Sequence, residues 1–369
     1  MTHDQPLDRV TNSVSGDVHG TVFQAETLEV HQHHHATRRH AVEDFPVPGP
    51  LDTRWLMAQP SRLLDARSQV VPFQHRDDEL RQLAGWRDAD DARLSVLLLH
   101  APGGQGKTRL AAELAARSDS WSVRQATLGA AAPLQPGTGG DGVLLIVDYA
   151  DRWAHSELLG LFSELLVTPR PVRVLLVGRS VRWFAALRGE LADHRVPTAD
   201  LALPHLAADR RAVFTAARDR YAAPELYDLS EVDDIEPPSS LEDPDFGLVL
   251  SLHTAALVAV DARSRGQIPP SDPHELSAYL LDREYMAWQR LHDASRQGTD
   301  YRTPPSVMAR TVFTSVLTGP TSHQAGERAL SSLNLPEHPQ RLLLDHRLCY
   351  PPVDRTTVLE PLHPDRLAE

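Results

Sequence analysis

Residues 101–108 read APGGQGKT, and this run holds the chain's single lysine; the other 36 of its 37 basic residues are arginine. Gly103, Gly104 and Gly106 let successive backbone N–H groups turn toward one point. A helix starting at Lys107 aims its positive end at the same place. A compact ammonium on a flexible stem can reach between the oxygens of an anion there, where a guanidinium fork would not fit. Thr108 adds a hydroxyl, a hard oxygen donor that suits Mg²⁺. Together these groups have the chemistry for gripping a polyphosphate. The candidate contacts are Pro102, Gly103, Gly104, Gln105, Gly106, Lys107, Thr108 and Arg109, with Lys107 reaching the β/γ-phosphates.

The spacing fits the P-loop pattern, with Ala101 in place of its first glycine. A second run, VLLIVD at 143–148, is a continuous apolar stretch ending in an acid, the shape of a Walker B strand. Such a strand delivers Asp148 to the C-terminal edge of a sheet, where it can hold Mg²⁺ beside Thr108 through water. Tyr149 follows where a second carboxylate would activate water. Asp151 is the nearest acid for that role, or else an N-terminal acid of the next helix. A third run, RVLLVGRS at 173–180, ends in Arg179. That cation would either report on a γ-phosphate or pair with an acid at the sheet rim.

These groups need a scaffold of buried strands. Leu94–Leu99, Val143–Val147 and Val174–Val177 are short continuous apolar runs, as expected of strands covered on both faces. Trp121–Leu128 and Leu201–Leu203 are further strand candidates. Lys107–Arg117 is rich in helix formers, and residues 156–166 carry an apolar stripe at helical spacing. Alternating strands and helices imply a parallel sheet with helices on both faces. The Gly- and Pro-rich 129–142 connection is expected to cross as a loop. Beyond Pro204 the spacing turns helical over 209–222, 246–265, 273–292, 306–317 and 324–333, with proline-rich breaks between. Before the sheet, residues 12–30 alternate with glycine punctuation and read as short strands, and a His- and Pro-rich stretch follows. The expected organisation is a β-rich leader (1–35), a linker (36–67), an α/β P-loop domain (68–204) and a helical lid with a partial winged-helix character (205–369).

Residues 72–80, PFQHRDDEL, resemble the opening motif F-x-G-R-x-x-E-L of STAND NTPases, the NB-ARC- and NACHT-like signalling switches, with His75 at the glycine position. Arg179 is similarly placed to the arginine that ends a strand in that family. The runs APGGQGKTRLA, LLIVDYAD and RVLLVGRS resemble a group of actinobacterial ATP-binding proteins. NSVSGDVHGTVFQA near the N-terminus and YPPVD with LEPLHPDRLAE near the C-terminus are similar to them too. The resemblance implies an ATP/ADP- and Mg²⁺-binding switch that hydrolyses slowly, with a role in signalling or defence. It adds Arg76 to the nucleotide contacts, and it assigns catalysis to Lys107, Asp148, Asp151 and Arg179 and the metal to Thr108 and Asp148. The leader is then a candidate for self-association or for recruiting an effector. Such proteins commonly continue into helical repeats beyond the point where this chain stops. Two other readings stay open: an efficient AAA+-like ATPase, and an assembly module with structural nucleotide.

Composition narrows the field. With 369 residues, 41% apolar and 24% charged, the chain has ordinary globular content and room for two domains. A net charge of −13 and a pI near 5.8 disfavour a dedicated nucleic-acid binder. One cysteine, Cys349, rules out an intrachain disulfide framework, and its expected role is structural. No signal core or membrane span is legible, so a cytoplasmic protein is expected. The clustered His31, His33, His34, His35 and His40 could offer metal ligands, but the cluster lacks a second ligand set. Trp153 and Trp183 are expected to pack in the core rather than stack on a base.

Overall fold

The computed structural model describes residues 40–47, 49–128, 140–206, 209–294, 300–354 and 356–364. The β-rich leader, most of the histidine cluster and most of the 129–142 crossing lie outside the described residues. In chain order the elements are β1 (His40–Asp44), α1 (Thr53–Ala58), α2 (Pro60–Leu64), α3 (Asp77–Asp88), β2 (Leu94–His100) and α4 (Lys107–Ala116). Then come β3 (Ser122–Leu128), β4 (Val143–Val147), α5 (His155–Leu166), β5 (Val172–Gly178), α6 (Phe184–Asp193) and β6 (Thr198–Ala202). The helices that follow are α7 (Arg210–Tyr221), α8 (Val249–Ser264), α9 (Pro273–Ala294), α10 (Pro305–Thr318), α11 (His323–Ser331) and α12 (Pro339–Cys349). A small pair of strands, β7 (Thr321–Ser322) and β8 (Thr357–Val358), lies among them.

The sheet runs β1-β3-β4-β5-β2-β6. All pairings are parallel except that of β1 with β3. The apolar runs form its centre because the two-residue period of a strand sends alternate side chains to opposite faces, and both faces are covered. Val96, Leu98, Val143, Leu145, Val147 and Val174 meet α5 and α6 on one side, through Leu161, Phe162 and Leu187. Leu97, Leu99, Leu144, Ile146, Leu175 and Val177 meet α3 and α4 on the other, through Leu80, Leu83, Leu110 and Leu114. Trp153 and Trp183 belong to the first of these cores. The polar edge strand β6 ends at Ala202, one residue short of the expected Leu203.

The architecture is a P-loop NTPase α/β fold followed by a helical region. β5 lies between the P-loop strand β2 and the Asp148 strand β4, so these two are not sheet neighbours. No helix among the described residues is long and apolar enough to cross a membrane.

The helical region has its own core, formed by α7–α10 together with Cys349, Tyr350 and Leu362. Residues 36–67, expected as a linker, contain β1, which extends the sheet, and α1 and α2, whose Leu56, Leu63 and Leu64 enter the helical core. A buried carboxylate fixes them there. Glu284 of α9 accepts hydrogen bonds from Gln59 Nε2 (2.9 Å), Ser61 N (2.8 Å) and Tyr350 Oη (2.9 Å). Cys349 is a buried free thiol, and burial pushes its pKa up to about 12, so it is inert.

Replacing Glu284 with leucine strands three buried donors without an acceptor. We expect Glu284→Leu to lose about 3 kcal/mol of stability, read as a lower urea midpoint; an unchanged midpoint would show that the network does not hold α2 in place.

Candidate functional site

The P-loop is built by backbone conformation. Gly104 and Gly106 have φ of 81° and 90°, in the left-handed region that glycine adopts without a Cβ penalty. The chain therefore reverses between β2 and α4 within a few residues. No side chain caps α4, whose first turn starts at the loop, the arrangement in which helix amides hold an anion. Lys107 Nζ donates to the loop's own carbonyls, Ala101 O at 2.7 Å and Pro102 O at 2.9 Å.

Thr108 Oγ1 donates to Asp148 Oδ2 at 3.0 Å, across the width of β5. Asp148 Oδ1 accepts from the Tyr149 amide at 2.9 Å. Burial raises the Asp148 pKa; the charge of Arg67 opposes it most, ahead of the Tyr149 and Thr108 hydrogen bonds and of Lys107. A hydroxyl beside a half-buried carboxylate fits a hard divalent cation. Asp151 Oδ2 accepts from the Arg179 amide at 3.1 Å, while its Oδ1 is buried without a hydrogen bond. A Cβ at Gly103 would lie 4.0 Å from Arg179 Nη2, so that guanidinium sits at the loop.

A cavity of about 380 Å³ opens over these groups, and every candidate site residue borders it. Arg76 borders it as a strut: its guanidinium donates to Glu79 Oε1 (2.8 Å), Pro204 O (2.9 Å) and Gln105 Oε1 (3.4 Å). Arg109 Nη2 donates to Val71 O at 3.2 Å. His75 has φ of 62°, so the glycine position of the opening motif demands a left-handed backbone that histidine here adopts.

The cavity's other wall comes from the helical region: Leu206, Val213, Tyr221, Leu248, Leu250 and His253. The Leu250 amide, in the first turn of α8, donates to Gly104 O at 3.0 Å. Arg67 and His363 also border the cavity. None of these was marked in the sequence, because helix spacing does not reveal which helix end meets the P-loop. Among the described residues no group of three or more His, Cys, Asp or Glu could hold a metal.

No family model matches the chain, and no curated protein does. Among solved structures it is similar to the Aeropyrum pernix ORC2 protein in ADPNP–ADP complexes, at TM-score 0.37 and 17% identity over 83% of this chain and 95% of that one. It is also similar to CDC6P from Pyrobaculum aerophilum, at TM-score 0.35 and 14% identity over 81% and 93%. NtrX from Brucella abortus in complex with ADP matches at TM-score 0.35 and 16% identity over 76% and 71%. These likenesses are loose, and the fold assignment stands on the sheet order and the loop geometry.

Burial, with the Arg109 charge adding to it, lowers the His253 pKa from 6.5 to about 4. The folded chain then takes up this proton less readily than the unfolded one, so stability falls as pH drops from about 6.5 toward about 4 and levels off below. His253→Gln should lessen that fall in melting temperature, with buried His346 carrying a like share; an unchanged slope would mean that His253 does not stay neutral in the folded chain.

Proposed function

We propose that this chain is an ATP-binding switch of the STAND type that hydrolyses nucleotide slowly with Mg²⁺. The observation that carries the proposal is the Leu250–Gly104 hydrogen bond, which joins the helical region to the loop that would hold the phosphates. A loop that rearranges around a β-phosphate shifts the carbonyl that caps α8, and so biases the helical region between two positions.

Within this reading, Lys107 exchanges its two carbonyl acceptors for phosphate oxygens, and the first-turn amides of α4 hold the same phosphates. Thr108 and Asp148 are the groups that would hold Mg²⁺, which when bound neutralises charge between the β- and γ-phosphates. Asp151 orients water through Oδ1, its other oxygen being fixed by the Arg179 amide. Tyr149 in place of a carboxylate favours slow turnover. Arg179 stands where it can feel the γ-phosphate. Adenine is preferred on the family resemblance, and signalling or defence is the corresponding role; self-association or effector binding would fall to the leader.

Lys107→Ala should abolish binding in a fluorescent ATP-analogue titration, and equal binding by wild type and variant would sink the proposal. Asp151→Asn should keep binding and slow single-turnover hydrolysis by about tenfold to a hundredfold. Wild-type turnover well above about one per second would favour the efficient ATPase instead.

A further inference from the structure

α12 is apolar on two opposite faces. Leu342, Leu343 and Cys349 are buried in the helical region, whereas Leu344 and Leu348 remain 58% and 57% exposed. Spaced four residues apart, these two leucines stand one above the other on a single ridge. A helix that is apolar all round belongs in a core, so the outer ridge is short of a cover. Trp55 of α1, 39% exposed, lies beside it. The link is Arg62, whose Nη1 donates to Trp55 O at 2.8 Å and whose Nη2 donates to Cys349 O at 2.7 Å. Its guanidinium lies 4.3 Å from the centre of the Trp55 ring. Arg62 is itself buried, so it floors the space between α1 and the end of α12.

The rim of this face is basic, in a chain whose net charge is −13. Arg54 and Arg347 are exposed and pair with no acid among the described residues. The one acid of α12, Asp345, is buried and accepts from Thr303, while Asp52 caps α1 through the Trp55 amide. We propose that Trp55, Leu344 and Leu348, rimmed by Arg54 and Arg347, form a docking site for an acidic amphipathic helix of a protein partner. A leucine ridge beside an indole suits the apolar stripe of such a helix, and its acids would meet the two free arginines. Trp and Arg are also the residue types that most often dominate binding energy at interfaces. The face is built from helices, which offer no backbone edge to an extended peptide. Its aliphatic centre and the negative charge of the whole chain disfavour a nucleic acid.

The test is selection of a displayed library of helical peptides, about 18 residues long, on the full chain. The best binder is then measured by fluorescence anisotropy. Enriched peptides should carry apolar residues at i, i+3 or i+4 and i+7, with an excess of Asp and Glu elsewhere. Leu348→Glu should weaken the best binder on the order of tenfold or more, and Arg347→Glu by about threefold to tenfold. Ile268→Glu, at an apolar residue 94% exposed outside this face, should leave the affinity unchanged. Because Leu348 and Arg347 are exposed, both variants should keep the wild-type urea midpoint; if Leu348→Glu does not fold, Arg347→Glu decides. Enrichment of basic or uncharged peptides, no enrichment at all, or a binder indifferent to these variants overturns the inference. Duplex DNA bound by wild type and lost in Leu348→Glu also overturns it, by making the face a nucleic-acid site. Self-association of wild type that is lost in the same variant overturns it too, since a second copy would then be the occupant.

Discussion

A helix must satisfy the backbone N–H groups of its first turn, and in α8 one of them is satisfied by the phosphate loop. The Leu250 amide has no side-chain cap available to it, because Leu248 stands at the N-cap. It takes Gly104 O instead. The loop can offer that carbonyl because its glycines turn amides inward and leave this oxygen facing out. Gly104 also has to stay glycine: its φ is positive, and a Cβ would come within 3.0 Å of Leu250 Cβ. One residue thus serves both the anion site and the seat of the helical region.

The same economy holds in the sheet. Placing β5 between β2 and β4 separates the P-loop from Asp148 by two strand spacings, about 10 Å, and the Thr108 side chain closes the remaining distance. The arginine at the end of that middle strand then lies between the two. Buried apolar side chains on both faces fix the register, since a slip of one residue would exchange the two faces.

The central strands were legible in the sequence because continuous apolar runs have few alternatives, and the loop was legible because its glycines and lysine sit at fixed spacing. The helices α7–α11 followed from three- and four-residue spacing. The short α1 and α2 did not, since five or six residues carry too little periodicity. In α12 the apolar run obscured the period, and Leu344 and Leu348 remain exposed. Arg62 and the carbonyls it joins left no local signal, because their relation exists only once α1 and α12 are brought together.

Among the described residues the chain passes between the sheet and the helical core after β1, between α2 and α3, and after β6. Arg76 joins the second and third of these crossings by donating to Pro204 O while also reaching Gln105 of the loop. Two crossings pinned at one point leave a pivot rather than a long hinge line. On the switch reading proposed above, the helical block, with α1 and α2 locked into it, would swing as one lever about Arg76, and its far end would travel much further than the loop.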